Sequence, residues 1–327
     1  MSVLNDNRLG EIYSSSIPTV SIIMNCLNSE KYLREAIDSI FAQTYEDWEI
    51  IFWEDKASKD NSENIAKSYG SKLRYFRSDV SIPLYGSRNL AVQKARGKYI
   101  AILDCDDLLL PAKLEEQIPL FERDGKVGLV YSDIILFNEK GKEKRSFEFK
   151  KPYRGNVFPE LLLENFINTQ TVLIRKETFD CFDTFFDGRL IMSGDYDAYL
   201  RISYGWKVDY VDKPLARYRV HRNSMSWKDG RKLFTVEIDL MIDNLNKTVC
   251  EFEKKYPEEI RLLRRRRDVQ QSLLDWENGD KKKARTRLHA YVRDSISYLT
   301  LYLLTYLSYK YFFYPCYRLY TKNLMAD

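Results

Sequence analysis

The composition of this sequence does not place it in any specialised class of protein. Its 327 residues include two histidines and five cysteines, and the cysteines lie far apart, without the close spacing of zinc sites or redox motifs. The formal net charge is only +4, which is too small to indicate a nucleic-acid partner. The opening segment, MSVLNDNRLGEIYSSS, is polar and contains no apolar signal-peptide core. Scattered thiols and a polar start predict a reduced, cytoplasmic protein.

Glycine is absent from the segment MNCLNSEKY (24–32), which follows the first apolar run. Glycine-rich loops at helix N-termini bind the phosphates of many nucleotides. The absence of such a loop therefore argues against a nucleotidyltransferase.

The chain is longer than the usual single compact domain. Hydrophobic residues make up 44% of it and charged residues 31%, which is typical of a folded, globular protein. Beyond about Lys232 the pattern becomes helical throughout. We therefore predict a main domain over residues 1–231 and a helical C-terminal region over residues 232–327.

Strands and helices alternate four times within about 90 residues of the main domain. Apolar runs predict strands at Val20–Leu27, Trp48–Trp53, 73–78 and 98–104. The intervening segments are helical, and the third helix is expected to stop at Gly97. In the first helix, the apolar residues Leu33, Ala36, Ile37, Ile40 and Phe41 follow helical spacing. This alternation predicts a parallel sheet with helices on both faces, whose ligands bind beyond the carboxyl ends of the strands.

The most informative stretch is YIAILDCDDLLLP (99–111), in which a predicted strand runs into three carboxylates. Asp104, Asp106 and Asp107 would repel one another at the edge of a core unless a cation joins them. Hard oxygen ligands favour Mg²⁺ or Mn²⁺, which proteins hold with one or two carboxylates and the phosphates of a substrate. A strand-terminal aspartate can also do no more than cap a turn. The cluster predicts a site for a divalent cation and a nucleoside diphosphate.

Two ordered segments carry a family resemblance: PTVSIIMNCLNSEKYLREAIDSIFAQTYEDWEIIFWED and GSRNLAVQKARGKYIAILDCDD. They resemble family 2 of the inverting glycosyltransferases, and the resemblance extends from Pro18 to about Ser226. It implies the α/β fold called GT-A, a Rossmann-like and mostly parallel sheet with helices on both faces. The helical C-terminal region would then be an extension of a catalytic domain.

The resemblance implies which residues bind the nucleotide-sugar donor and a divalent cation. The donor-binding residues would be Asn25, Leu27, Asp55, Arg88, Asp104, Arg219 and Arg222. The metal ligands would be Asp104, Asp106 and His221, with Asp106 the more direct of the two aspartates.

Three of these residues also have structural interpretations. Asp55, implied to accept a hydrogen bond from the nucleobase, could instead cap the next turn. Arg88 could pair with Asp79 at the surface. His221 could be a surface residue on a basic loop.

The segment FDGRLIMSGDYDAYLRI (186–202) resembles the part of the family that supplies the catalytic base. Members usually have Glu-Asp there, whereas this chain has Gly194 followed by Asp195. The resemblance therefore assigns the base to Asp195. An aspartate at a helix start can instead be its N-cap.

These assignments imply an inverting transfer of a sugar, most readily from a UDP-sugar, to a hydroxyl of a saccharide or lipid-linked saccharide. A carboxylate at Asp55 would accept the ring N–H that uracil, thymine and guanine offer. The alternative is a catalytically inactive relative that binds a nucleotide sugar or scaffolds a membrane complex. Only Gly194 and the altered loop EDKAS (54–58) support it.

The tail combines a basic segment with an apolar one. KKKARTRLHAYVR (281–293) holds six basic residues and no acid, and it leads into ISYLTLYLLTYLSY (296–309). Fourteen such residues are fewer than the ~20 that span a bilayer. A basic stretch beside a tyrosine-rich apolar one favours peripheral attachment to the inner face of the cell membrane. A helix docked on the core and a spanning helix that continues through Lys310 are the less favoured alternatives.

Overall fold

The structure, a computed structural model, describes residues 17–147, 152–221 and 230–309, with side chains from residue 235 onward in the last range. Its first half is the predicted alternation of strands and helices. The strands are β1 (Val20–Cys26), β2 (Trp48–Glu54), β3 (Leu73–Arg77) and β4 (Tyr99–Ile102). The helices are α1 (Glu30–Phe41), α2 (Ser62–Lys67) and α3 (Leu84–Lys94). The four strands are parallel, in the order β3-β2-β1-β4, which confirms the predicted α/β class.

The second half completes the sheet with mixed pairing. Its elements are β5 (Leu108–Leu109), α4 (Lys113–Arg123), β6 (Val127–Phe137), β7 (Glu143–Arg145), α5 (Phe158–Leu163), β8 (Leu173–Arg175), α6 (Gly194–Gly205) and β9 (Lys207–Arg219). Two short 3-10 turns lie at Thr169–Thr171 and Lys176–Phe179. The sheet continues from β4 in the order β8-β6-β9-β5, and β7 pairs with β6. Strand β8 is antiparallel to both neighbours, whereas β6 and β9 are parallel.

The C-terminal region is helical, as the pattern beyond Lys232 predicts. Its helices are α7 (Gly230–Thr248), α8 (Phe252–Lys255), α9 (Pro257–Glu277), α10 (Lys281–His289) and α11 (Ile296–Leu304). Side chains of α7 such as Ile238, Ile242 and Leu245 belong to the same buried cluster as Tyr131 of β6. The last helices share a small separate cluster around Trp276. The division at residue 231 stays a prediction.

Apolar side chains on both faces of the central strands explain why the sheet forms here. Successive β1 residues Ile22 and Ile23 belong to two different buried clusters, one on each face of the sheet, as expected for a sheet covered on both sides. Helix α1 buries four of the five apolar residues that follow helical spacing, Leu33, Ala36, Ile37 and Ile40. The fifth, Phe41, is 41% exposed, because it lies at the end of the helix, where its ring contacts Trp48 and Tyr69.

Gly97 has a different role from the predicted one. Helix α3 ends at Lys94, so Gly97 is not its stop. A Cβ at residue 97 would lie 2.5 Å from the backbone nitrogen of Ser21. Glycine is needed there because the chain passes directly against β1 as it enters β4.

Candidate active site

A cleft of about 550 Å³ opens where the strands of the parallel half end, as the topology predicts. Strand ends, the turn after β1, helix α3, the 3-10 turn at 169–171 and the start of α6 all contribute to its wall. Seven of the predicted site residues line it: Asn25, Leu27, Arg88, Asp104, Asp106, Asp195 and His221. Residues from five separate segments of the sequence are thus brought together.

The turn between β1 and α1 presents an amide and an apolar side chain to the cleft. Leu27 is 54% exposed. Neither side-chain polar atom of Asn25 has a hydrogen-bond partner among the described residues, although both are buried. The turn itself depends on Asn28, whose φ of 53° lies in the left-handed region that asparagine tolerates better than most residues. An unpaired buried amide is costly, so Asn25 is a candidate for direct ligand binding.

Both carboxylate oxygens of Asp104 have partners within the protein. One of its carboxylate oxygens pairs with the guanidinium of Arg88, and the other accepts a hydrogen bond from Nε2 of Gln170 at 2.7 Å. Arg88 is only 2% exposed, so its partner is Asp104 and not the surface residue Asp79. Both residues line the cleft, so the ion pair forms part of its wall.

Asp106 is the more available aspartate of the motif. Its Oδ2 lies 2.9 Å from Nε2 of His221, and both side chains line the cleft. Partial burial and the charge of Asp104 raise the pKa of Asp106 above its usual value. Such a site disfavours the charged carboxylate unless a cation joins it.

The Asp106–His221 pair fits a divalent cation that draws its remaining ligands from a substrate. Within the described ranges, no group of three or more His, Cys, Asp or Glu side chains could hold a metal ion by itself. Mg²⁺ and Mn²⁺ sites in nucleotide enzymes commonly use one or two protein side chains and complete the shell with phosphates and water. Two converging ligands are therefore enough for a cation that binds together with a diphosphate.

Arg219 lies behind the acidic loop and does not line the cleft with the described residues. Its backbone N–H donates to Oδ1 of Asp107 at 2.7 Å, and its Nε donates to the backbone oxygen of Asp106 at 2.9 Å. Its Nη2 pairs with Glu35 at 2.8 Å. Burial, then the charges of the neighbouring aspartates, raise the pKa of Asp107 well above its usual value. Arg219 therefore holds the acidic loop in place, and the structure does not support a direct contact with the donor.

Asp55 is engaged by its own turn. Its carboxylate accepts backbone N–H groups from Ala57 at 2.7 Å and from Ile82 at 2.9 Å. Burial would raise the pKa of Asp55, but these two bonds outweigh it and lower the pKa below its usual value. Asp55 does not line the cleft, so the turn-capping interpretation describes it. Arg222 lies outside the described residues.

Asp195 stands in the first turn of α6, at the cleft. The N-cap position belongs to Ser193, so Asp195 is not the cap. Its Oδ1 accepts the backbone N–H of Tyr196 at 2.7 Å and lies 3.2 Å from the hydroxyl of Tyr85. Its Oδ2 accepts the hydroxyl of Thr169. The carboxylate is held at both oxygens, and its position in the cleft wall leaves it open to a ligand.

Tyr85 occupies the space that a side chain at residue 194 would need. A Cβ on Gly194 would lie 2.5 Å from the Tyr85 ring, closer than any packed contact. Burial, then the charge of Asp195, raise the pKa of Tyr85 well above its usual value, so its hydroxyl stays protonated and donates. Gly194 is therefore a packing requirement of the site.

Substitution of Gly194 by alanine is expected to destabilise the fold by about 1–3 kcal/mol, because overpacking must displace the Tyr85 ring. Thermal unfolding measures the loss. The matched control is Gly205→Ala at the other end of the same helix, where a Cβ would meet nothing within 4 Å. We expect that control to be neutral or slightly stabilising, and equal melting temperatures for the two variants would contradict the packing.

Three residues that donate hydrogen bonds to the aspartates of the cleft were not predicted from the sequence: Tyr85, Thr169 and Gln170. The signal available for two of them is the polar run NTQT (168–171) directly before the buried strand β8. Such a run at a strand entrance indicates side chains that face a polar site. Nothing in the sequence near Tyr85 indicates its contact with a residue 110 positions later.

A second cleft, of about 590 Å³, lies around the C-terminal end of α6 and contains none of the predicted site residues. It is lined by the segment that follows Cys181 and by Asn244 of α7. The chemistry predicted from the sequence therefore maps to the first cleft alone.

Comparison with known proteins agrees with this geometry. The sequence model described as "Glycosyl transferase family 2" matches residues 21–183. An uncharacterized glycosyltransferase of Methanocaldococcus jannaschii is 32% identical over 225 residues, which are 67% of this chain and 77% of that protein. The chain belongs to glycosyl transferase family 2. The predicted family is thereby confirmed.

One further relative and two solved structures extend the comparison. An uncharacterized glycosyltransferase of Rickettsia felis is 33% identical over 64% of this chain, which corresponds to 36% of that longer protein. The fold is shared with Staphylococcus aureus TarS 1–349 in complex with UDP-GlcNAc (TM-score 0.57, 17% identity, 85% of this chain, 92% of that chain). It is also shared with the mannosyltransferase PcManGT of Pyrobaculum calidifontis in complex with GDP-Man and Mn²⁺ (TM-score 0.60, 16% identity, 96% and 89%).

Proposed function

We propose that this family 2 member is an inverting glycosyltransferase that moves a sugar from a UDP-sugar to a hydroxyl of a saccharide or lipid-linked saccharide. The observation that carries the proposal is the presence in one cleft of a held carboxylate, Asp195, and of the Asp106–His221 pair. The first can take a proton from an acceptor, and the second can bind a cation with a diphosphate. The active site is therefore the cleft at the strand ends.

The chain's own residues supply the acid–base chemistry. The sugar leaves its diphosphate through an oxocarbenium-like state, and Asp195 deprotonates the acceptor hydroxyl as it attacks from the opposite face. Inversion follows, and no covalent enzyme intermediate is needed. The cation, Mg²⁺ or Mn²⁺, would be held by Asp106 and His221, where it would supply charge that stabilises the departing diphosphate. Asp104, already paired with Arg88, shapes this end of the cleft.

Asn25 is the best candidate for recognition of the nucleobase. Both carboxylate oxygens of Asp55 already accept backbone N–H groups. We therefore assign the nucleobase contact that was expected of Asp55 to Asn25 instead. The free amide of Asn25 can accept the ring N–H of uracil and donate to its neighbouring carbonyl. This pattern supports UDP first, with dTDP and GDP next. TarS and PcManGT are named as complexes with UDP-GlcNAc and GDP-Man, which supports a nucleotide-sugar donor.

A panel of UDP-, dTDP- and GDP-sugars tests the proposal. Thermal shift with Mn²⁺ identifies the donor, and release of the nucleoside diphosphate from it, slow without an acceptor, measures turnover. We expect a metal-dependent shift with UDP and turnover of at least one UDP-sugar. Binding without any turnover, with or without saccharide acceptors, would instead indicate the inactive, binding relative.

We further propose that the C-terminal helices attach the protein to a membrane surface that presents its acceptor. No helix within the described residues is long and apolar enough to cross a bilayer. Helix α11 docks one face through Leu301 and Leu304 on the cluster around Trp276. Its other face leaves Ile296 83% exposed and Leu303 55% exposed. A bare apolar face beside the basic helix α10 suits an anionic lipid surface on the cytoplasmic side.

The substitution Leu303→Glu is expected to weaken binding to anionic vesicles by about tenfold or more, because a buried leucine contributes roughly 1.5–3 kcal/mol. Flotation with phosphatidylserine vesicles measures the effect. The control is Ser297→Glu, which adds the same charge at an exposed polar position of the same helix. Equal flotation of both variants, or none for the unaltered chain, would contradict attachment. A point variant is preferable to removal of the tail, because removal would uncover Trp276, which is 1% exposed.

A further inference from the structure

The loop that leads into Asp195 is held by one carboxylate of the C-terminal helices. Glu237 of α7 is only 3% exposed. Its Oε1 accepts the backbone N–H of Ile191 at 2.5 Å and that of Met192 at 3.0 Å. Its Oε2 accepts the N–H of Met192 at 3.1 Å and that of Ser193 at 2.7 Å. Three successive backbone amides therefore converge on a single side chain.

The three converging backbone N–H groups favour an anionic acceptor such as a carboxylate. The amides precede the N-terminus of α6, where backbone N–H groups lack partners within the helix and the helix dipole favours negative charge. Ser193, the N-cap residue, makes no side-chain capping bond. Glu237 supplies from another helix an acceptor for the backbone N–H of the N-cap residue, the bond that a glutamate at the third helical position makes in a capping box. Loss of its carboxylate would leave three amides unpaired, of which that of Ser193 belongs to a buried residue.

The same loop is held on its other side by the active site. The hydroxyl of Tyr85 lies 3.1 Å from the backbone oxygen of Met192. Ile191 and Met192 themselves line the cleft together with Asp195. The loop is thus fixed between Tyr85 and Glu237, and Asp195 follows it by two residues.

We propose that Glu237 is a positioning residue for the reaction. It fixes the loop Ile191–Ser193, the loop fixes the start of α6, and the start of α6 places the carboxylate of Asp195. The inference rests on the proposed role of Asp195 as the base. It also gives the C-terminal helical region a role in placing the base, because α7 belongs to that region.

Substitution Glu237→Ala is expected to lower kcat about 100-fold, the size of loss that a displacement of about 1 Å in a reacting group produces. The Kd for UDP with Mn²⁺ should change by less than about twofold, because the loss lies in the reaction and not in donor binding. Hydrogen exchange of the amides of residues 191–193 should become faster. Kinetics use the donor selected by the panel of nucleotide sugars, and the full chain is used throughout.

The matched control is Asp243→Ala in the same helix. Its exposed carboxylate pairs with Lys247 at 2.6 Å and accepts none of the three loop N–H groups, so kcat and their exchange should be unchanged. An equal fall in kcat for this control would mean a general loosening of α7 and would overturn the proposal. So would normal kcat in Glu237→Ala.

A second variant guards against misfolding. Glu237→Gln keeps the size of the side chain and one acceptor oxygen, so it should fold and lose less activity than the alanine variant. If Glu237→Ala is unfolded, a normal kcat in Glu237→Gln overturns the proposal, and a reduced kcat with normal UDP affinity supports it. Should the unaltered protein release no diphosphate from any donor, the proposed function fails, whereas unchanged exchange of the loop amides in Glu237→Gln would separately refute the hold on the loop.

Discussion

Replacement of Asp106 by asparagine is expected to abolish sugar transfer, with a loss in kcat/KM of at least about a hundredfold, the size that follows removal of one electrostatic stabiliser of a developing charge. The side chain keeps its size but loses the charge that faces His221 at 2.9 Å. Both effects of a bound cation, on diphosphate affinity and on leaving-group charge, should fall together. Steady-state transfer and calorimetric binding of UDP with and without Mn²⁺ measure them.

The control for this variant makes the same chemical change elsewhere. Asp212→Asn lies at an exposed position of β9 and should leave transfer and UDP binding unchanged. Because the asparagine at residue 106 can still bond to His221, the melting temperature should stay close to that of the unaltered chain. Near-normal turnover, or UDP binding that still strengthens with Mn²⁺, would show that Asp106 does not hold the metal.

The order of strands and helices can be predicted from the sequence, because a sheet buried on both faces needs strands that are continuous apolar runs. Strands β1, β2 and β4 are short apolar runs, and helix α1 between the first two has one apolar face. Parallel strands bring their carboxyl ends together, so the clustering of Asn25 and Asp106 follows from topology without any knowledge of contacts. Asp195 lies at the start of α6, and only the family resemblance predicted its place in the site.

The orientation of individual side chains is not readable in the same way. Asp55 and Arg219 were predicted to bind the donor, but neither lines the cleft. Their polar atoms bind backbone groups and, for Arg219, also the carboxylate of Glu35. Whether a backbone N–H is free for a neighbouring carboxylate depends on the conformation of a turn. A residue type and its position in a motif do not contain that information.

Partners that are distant in sequence were also beyond prediction. Asp104 is held by Gln170, 66 residues away, and Asp195 by Tyr85, 110 residues away. Gly194, which departs from the usual family spelling, is explained only by the ring that packs against it. These pairs arise from packing between elements, so their members have no pattern of spacing.

Substitution Asp195→Asn is expected to lower kcat by about a hundred- to ten-thousandfold, the usual contribution of a general base, and to leave UDP affinity unchanged. An amide cannot accept the proton of the acceptor hydroxyl. It can, however, keep the local structure, because its oxygen can still accept the backbone N–H of Tyr196 and its other two partners are hydroxyls. Tyr85 has a second acceptor in the backbone oxygen of Met192 at 3.1 Å, and the hydroxyl of Thr169 can rotate to accept a hydrogen bond. Single-turnover transfer, together with calorimetric binding of UDP with Mn²⁺, separates the chemical step from donor binding.

The Asp106→Asn variant is the natural contrast for this experiment, since the two substitutions are chemically identical and lie in one cleft. Asp106→Asn should reduce both turnover and metal-dependent UDP affinity, whereas Asp195→Asn should reduce turnover alone. An equal loss of UDP affinity in both variants would assign Asp195 to the donor pocket, and the base would then have to be sought elsewhere in the cleft.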